Sequence, residues 1–204
     1  MTLNTSTSSG TGTPAAASGR VAVVVGSTRP TRICPEIAGW VRDTAQSDSR
    51  LGYELLDLAE FALPFLDEPL KPALGRYEHE HTRRWSRTVS SFDAFVFVFP
   101  QYNWGYPAVL KNALDFLYSE WHDKPAAIAG YGTRGGSKAV AQLHGVLQGL
   151  HMRTIEQKLE LVVTDADTDE HGQLKDVAAT LHPFTDRVRA VDGQLTEALV
   201  DDQL

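Results

Sequence analysis

The sequence predicts a doubly wound α/β sheet of five parallel strands in the order 2-1-3-4-5. Strand-like and helix-like segments alternate five times from Arg20 onward, and the strand segments are continuous apolar runs. Unbroken apolar strands are those buried on both faces, the condition of a parallel sheet covered by helices on its two sides. In such a sheet ligands sit outside the carboxyl ends of the strands, here strands 1, 3 and 4.

Val21 to Val25 is an unbroken, mostly valine run ended by Gly26 and reads as the first strand. Ile33, Ile37, Trp40 and Val41 then recur at i, i+4, i+7 and i+8, which predicts a helix that tolerates Pro35 in its first turn. Leu51 to Leu58 is the second strand. Pro64, Pro69 and Pro72 make Ala62 to Pro72 a loop. Tyr77 to Phe92 is polar, with Tyr77, Trp85, Val89 and Phe92 as a sparse apolar face, and is expected to be helical. Ala94 to Phe99 is the third strand.

Pro107 opens a helix in which Leu110, Ala113, Leu114 and Leu117 share one face. Pro125 to Ala129 is the fourth strand, and Leu143, Val146, Leu147 and Leu150 mark the helix after it. Met152 to Ile155 and Leu159 to Val163 supply a fifth strand with an interruption. Asp165 to Glu170 reads as a solvated acidic loop, and Leu174 to Val191 as a helix that Pro183 kinks or restarts.

Composition bounds the function. The chain has 204 residues, 42% of them apolar and 22% charged, as suits one folded domain. Its formal net charge of −7 argues against a general nucleic-acid or anionic-membrane partner, since both need excess cation to displace counterions. The longest apolar run, Ala94 to Phe99, is far shorter than the ~20 residues that cross a bilayer. Cys34 is the single cysteine, which excludes an intrachain disulfide and suits a cytoplasmic location. Residues 1–19 carry no charged side chain and consist mainly of Thr, Ser, Gly and Ala, so they read as a disordered tail before a domain at 20–204.

Three loops at neighbouring strand ends carry the chemistry. After strand 1 come Gly26-Ser27-Thr28-Arg29-Pro30-Thr31-Arg32. Hydroxyls, two guanidinium forks and the N–H groups of a helix start suit a phosphate, although a capped turn with solvated arginines is the plainer alternative. The loop has neither the Gly-Lys-Ser/Thr ending of a nucleoside-triphosphate loop nor Gly-x-Gly-x-x-Gly. After strand 3 come Pro100-Gln101-Tyr102-Asn103-Trp104-Gly105-Tyr106-Pro107, whose rings and amides could embrace a planar heteroaromatic ring or merely pack a loop. After strand 4, Gly130-Tyr131-Gly132-Thr133-Arg134-Gly135-Gly136-Ser137 would let backbone approach a ligand, or form a plain glycine-rich turn.

These three loops, with Leu110-Lys111-Asn112-Ala113-Leu114-Asp115 behind the second, resemble the NADPH-dependent FMN reductases, and within them the NAD(P)H:quinone reductase branch with its chromate- and azo-reducing relatives. The resemblance covers Arg20 to Val163, and the strand 3 motif is its specific part. Many members carry Glu where this chain has Gln101; the quinone reductase branch also uses Gln.

The resemblance implies a flavodoxin-like fold and FMN as cofactor, with NADPH or NADH as electron donor. Ser27, Arg29, Arg32 and Ile33 would lie at the FMN phosphate. Pro100, Gln101, Tyr102, Asn103 and Trp104 would contact the ribityl chain and the isoalloxazine. Tyr131, Gly132, Thr133, Gly135 and Gly136 would line the pyrimidine side. No side chain is expected to be catalytic, because hydride passes from the nicotinamide to flavin N5 and on to a quinone-like small-molecule acceptor. A homodimer or homotetramer is implied, for which Trp104, Tyr106 and Trp121 are candidate interface aromatics. The alternatives are a flavodoxin-like single-electron carrier and a flavin-bound regulatory or binding module.

Other candidates are plainer. His79 and His81, at i, i+2, do not share a helix face and are not expected to bind metal. His144 and His151 read as helix-end or satisfied histidines, and Cys34 as a small buried packing residue.

Overall fold

A computed structural model describes residues 19–200. Of the expected tail, all but Gly19 lies outside the described residues, as do residues 201–204. The chain runs β1 (Arg20–Val25), α1 (Cys34–Gln46), β2 (Gly52–Asp57), α2 (Glu80–Ser90), β3 (Ala94–Pro100), α3 (Ala108–Asp115), β4 (Pro125–Gly132), α4 (Ser137–Gly149), β5 (Arg153–Val162), α5 (Val177–Leu181) and α6 (Thr185–Val200). The sheet order is β2-β1-β3-β4-β5 and every pairing is parallel, as the sequence predicts.

Alternation along the strands builds two cores from continuous apolar runs. Val21, Val23 and Val25 of β1, with Ala94, Val96 and Val98 of β3, face α1 and α6. Ala22 and Val24, with Phe95, Phe97 and Phe99, face α2, α3 and α4. Trp121 stands in this second core with its ring 5.1 Å from Phe95 and 6.2 Å from Phe97. It is therefore a core residue, which removes it from the expected interface aromatics. Burying a large apolar side chain fully is worth roughly 1.5–3 kcal/mol, so such rings dominate the stability of this layer.

Element boundaries differ from the periodicity where side chains compete with it. Tyr77 to His79 is not helical, because the Glu68 carboxylate accepts the N–H groups of Glu78 (2.8 Å) and His79 (3.0 Å) and holds His79 extended. That geometry stacks the His79 and His81 rings at 5.2 Å, where two helical residues at i, i+2 would point apart. Asp67 engages both rings, and no group of three metal-ligating side chains occurs among the described residues. Leu174 to Asp176 also stays outside a helix, and the Asp176 side chain caps α5 by accepting the Ala179 N–H (2.9 Å). Pro183 sits in a 3₁₀ turn, His182–Phe184, that separates α5 from α6, and α6 continues past Val191 to Val200. The interruption of β5 is a bulge: the span from Thr154 to Lys158 lies against Ala126 to Ile128. β4 runs on to Gly132 because Tyr131 and Gly132 pair with Leu161 and Val162.

Candidate functional site

The order of the sheet reverses between β1 and β3, which opens a crevice at their carboxyl ends. Gly26 leaves β1 while its N–H still donates to the Val98 carbonyl (2.8 Å). A Cβ there would meet that carbonyl oxygen at 2.9 Å, so the first loop can lie this close to β3 only through glycine. Ser27 is fully buried, and its hydroxyl is 3.1 Å from that of Tyr102. Arg29 donates its Nε to Thr31 Oγ1 (3.2 Å), and its carbonyl accepts the Arg32 N–H, which closes the turn.

Arg32 is committed to the protein itself. Its Nη1 and Nη2 donate to the two oxygens of Asp57 at 3.0 and 2.6 Å, and Nη1 also donates to the Ser27 carbonyl. Asp57 ends β2, and no motif in the sequence marks it. Its only signal there is position, an acidic residue closing the strand that neighbours β1.

The second loop is a tight turn in which Tyr102 and Gly105 exchange backbone bonds of 2.8 Å each. Asn103 (φ 49°) and Trp104 (φ 72°) sit at its tip in the left-handed region. For an indole residue this is a strained conformation, on the order of 1–3 kcal/mol, of the kind that gathers at functional sites. Trp104 is 68% exposed, with the Lys138 ammonium 5.8 Å from its ring centre. The Gln101 backbone N–H donates to the Tyr131 carbonyl (2.9 Å), while its side-chain oxygen accepts the N–H groups of Lys138 (3.1 Å) and Ala139 (3.2 Å). Gln101 thus caps α4 and ties the second loop to the third.

In the third loop most of the glycines serve internal packing. A Cβ on Gly130 would lie 2.5 Å from Val140, one on Gly135 3.1 Å from the Glu160 backbone, and one on Gly136 3.0 Å from the Tyr131 nitrogen. Gly135 and Gly136 also take positive φ values of 72° and 73°. Gly132 differs, because the nearest atom to its Cβ position is 3.8 Å away.

Two neighbouring cavities result. The smaller, about 110 Å³, is lined by Arg29, Thr31, Arg32, Ile33, Pro100, Tyr102, Tyr131 and Gly172. The larger, about 270 Å³, has Ile33, Gln101, Tyr131, Gly132 and Thr133 in its wall, with Val163, Thr164, Asp165 and Thr168 opposite. Ile33 and Tyr131 belong to both. Of the residues expected at the site, Arg29, Arg32, Ile33, Pro100, Gln101, Tyr102, Tyr131, Gly132 and Thr133 form these walls, and Ser27 braces them through Tyr102. Asn103 and Trp104 stand apart on the turn tip, and Gly135 and Gly136 lie behind the wall. The acidic loop after β5 is more than a solvated segment, since it supplies Asp165 and Thr168 to the larger cavity and its Gln173 donates to the Thr31 carbonyl (3.4 Å).

The donor set fits a mononucleotide-like ligand. Cations and hydroxyls line the small cavity, as a phosphate requires, and an amide, a ring and an open glycine line the larger one, as a flat heterocycle requires. Cys34 lies behind this wall, fully buried, with its thiol donating to the Val98 carbonyl (3.3 Å). Burial pushes that thiol up to about 12, so it stays protonated and unreactive at neutral pH. At the opposite end of the sheet His151 is bonded to the Tyr118 hydroxyl (2.9 Å), as expected of a satisfied histidine. His144 departs from that expectation, because its Nδ1 is buried without a hydrogen-bond partner.

The family model described as NADPH-dependent FMN reductase matches residues 20–167, a span that contains all three loops. An NAD(P)H-dependent FMN reductase of Saccharomyces cerevisiae is 48% identical over 147 residues, covering 67% of this chain and 77% of that protein. A quinone reductase of Pseudomonas putida is 31% identical over 137 residues, covering 64% of this chain and 68% of its own length. Among solved structures, a flavoenzyme NAD(P)H:(acceptor) oxidoreductase of Paracoccus denitrificans shares the fold, with a TM-score of 0.67 at 24% identity over 88% of this chain and 98% of that one.

Proposed function

Because the chain belongs to the NADPH-dependent FMN reductase family, we propose that it is an FMN-dependent NAD(P)H oxidoreductase that delivers two electrons to quinones or similar small acceptors. The observation that carries this reading is the pair of cavities with a common wall of Ile33 and Tyr131, one cationic and one suited to a flat ring. When bound, FMN would supply two-electron hydride chemistry between a nicotinamide donor and the acceptor.

The chain's own residues bind and orient. Arg29 and Thr31 hold the phosphate, with Ser27 fixing the loop from below. Gln101, Tyr131, Gly132 and Thr133 would hold the ring from the larger cavity's wall, and the Asn103–Trp104 tip, outside that wall, would contact the nicotinamide or the acceptor. Gly135 and Gly136 shape that wall from behind. A small-molecule acceptor of quinone type is supported by the quinone reductase among the relatives. A homodimer or homotetramer in the cytoplasm belongs to the same reading. The assembly is supported by the exposed apolar side chains of Phe65, Leu66 and Leu74, and the location by a sequence with a single cysteine, Cys34. No helix among the described residues is long and apolar enough to cross a membrane.

The visible spectrum of the purified protein tests this. One non-covalent FMN per chain is expected, with its oxidised band bleached by anaerobic NADPH or NADH. Protein that is colourless and takes up no added FMN would overturn the reading.

A further inference from the structure

Arg32 and Asp57 form a bidentate ion pair in which each side chain is less than one-fifth exposed. Two parallel charge-assisted bonds fix the guanidinium in orientation as well as position. The same guanidinium donates to the Ser27 carbonyl, and the Ser27 hydroxyl meets that of Tyr102. A continuous strut therefore runs from the end of β2 through Arg32 to the end of β1 and on to the loop after β3. Asp57 is itself anchored, since its Oδ1 also accepts the Ala59 N–H (3.0 Å).

The pair has an electrostatic consequence. A carboxylate holding both forks of Arg32 cancels most of its charge at the small cavity, although Arg32 is one of that cavity's lining residues. Among the described residues the Arg29 guanidinium bonds only the Thr31 hydroxyl, through its Nε, which leaves its two terminal nitrogens available to an anion in the small cavity that Arg29 lines.

We propose that Asp57 is a positioning residue for the phosphate end of the ligand, acting through Arg32 to hold the 26–32 loop in its binding shape, with Arg29 as the direct phosphate cation. This inference rests on the flavin reading above. Under it, of the two arginines expected at the phosphate, Arg32 is a brace for the loop and Arg29 alone is the direct ligand.

The full chain, freed of flavin, is titrated with FMN and with riboflavin, which lacks the phosphate, and binding is followed by quenching of flavin fluorescence. Asp57→Asn removes the ionic half of the brace, and Arg32→Lys keeps the charge while losing the fork that spans two partners. Each should weaken FMN by at least about tenfold while leaving riboflavin within about threefold, a selectivity that general loosening would not produce. The double variant should lose no more than the worse single variant, because both changes cut the same strut.

FMN affinity that is unchanged or higher in Asp57→Asn would overturn the proposal, a rise meaning that Arg32 binds phosphate directly and Asp57 competes for it. Equal losses of FMN and riboflavin, or additive losses in the double variant, would overturn it too. Should Asp57→Asn fail to fold, as judged by circular dichroism, Asp57→Glu, which keeps the charge but displaces the fork, decides by the same selectivity. Wild-type protein that binds neither flavin would instead overturn the flavin reading itself.

Discussion

The Ser27 hydroxyl, fully buried at the end of β1, lies 3.1 Å from the Tyr102 hydroxyl on the turn after β3. This bond joins the two loops across the crevice. Removing it with Ser27→Ala costs about 1 kcal/mol, which for a domain of this size lowers the melting temperature by about 2–4 °C. Tyr102 is partly exposed and can turn to water, so the effect stays at that scale. A thermal melt checks it, and an unchanged melting temperature would show that the two hydroxyls do not bond in solution.

Arg29 is assigned the phosphate charge. Arg29→Ala removes a charge-assisted contact of ~1.5–3 kcal/mol, so FMN affinity should fall at least about tenfold. Riboflavin titrated in parallel should be unaffected. Equal FMN affinity in wild type and variant would make Arg29 a bystander.

Cys34 supplies a pH dependence with a definite sign. Burial raises its thiol from an ordinary 9.0 to about 12, against a weaker opposing hydrogen bond from Tyr131. The folded state thus holds this proton more tightly than the unfolded chain does. The stability contributed is complete below about pH 9 and is lost as pH climbs toward 12. Burial also pushes the Tyr53 and Tyr131 hydroxyls upward, which acts in the same direction. Melting temperature should therefore drop on the alkaline side, and less steeply in Cys34→Ala. Iodoacetamide at neutral pH should label Cys34 only after unfolding in urea; fast labelling of folded protein would contradict its burial.

Two glycine substitutions should move stability in opposite directions. At Gly130 a Cβ would lie 2.5 Å from a Val140 methyl, so Gly130→Ala overpacks the third loop against α4 at a cost of ~1–3 kcal/mol. Gly145, inside α4, has nothing within 4 Å of its Cβ position. Gly145→Ala should stabilise by ~0.4–1 kcal/mol through the unfolded state and better helix propensity. Chemical denaturation of the pair checks both signs.

The sequence alone determined the sheet, because patterns such as Val21 to Val25 and Ala94 to Phe99 are set by burial on both faces, a local signal that needs no knowledge of neighbours. It also placed the three loops at the strand ends, since Gly26, Pro100 and the Gly130 to Gly136 stretch punctuate those runs in the chain itself. Only the tertiary structure decided what each side chain does there. Asp57 reaches Arg32 across 25 residues of sequence, and Gln101 reaches the start of α4 across 37, so neither partnership has a periodic or motif signature. Trp121 and Trp104 are indistinguishable as residue types, yet one is sealed against Phe95 and the other stands in solvent on a strained turn. The same holds for the glycines of the third loop: composition marks them all as small, and only the neighbours at Val140, Glu160 and Tyr131 separate those that pack the protein from Gly132, which leaves room beside the cavity. Local patterns specify elements, whereas charge pairing, capping and close approach depend on which distant atoms the fold brings within a few ångströms.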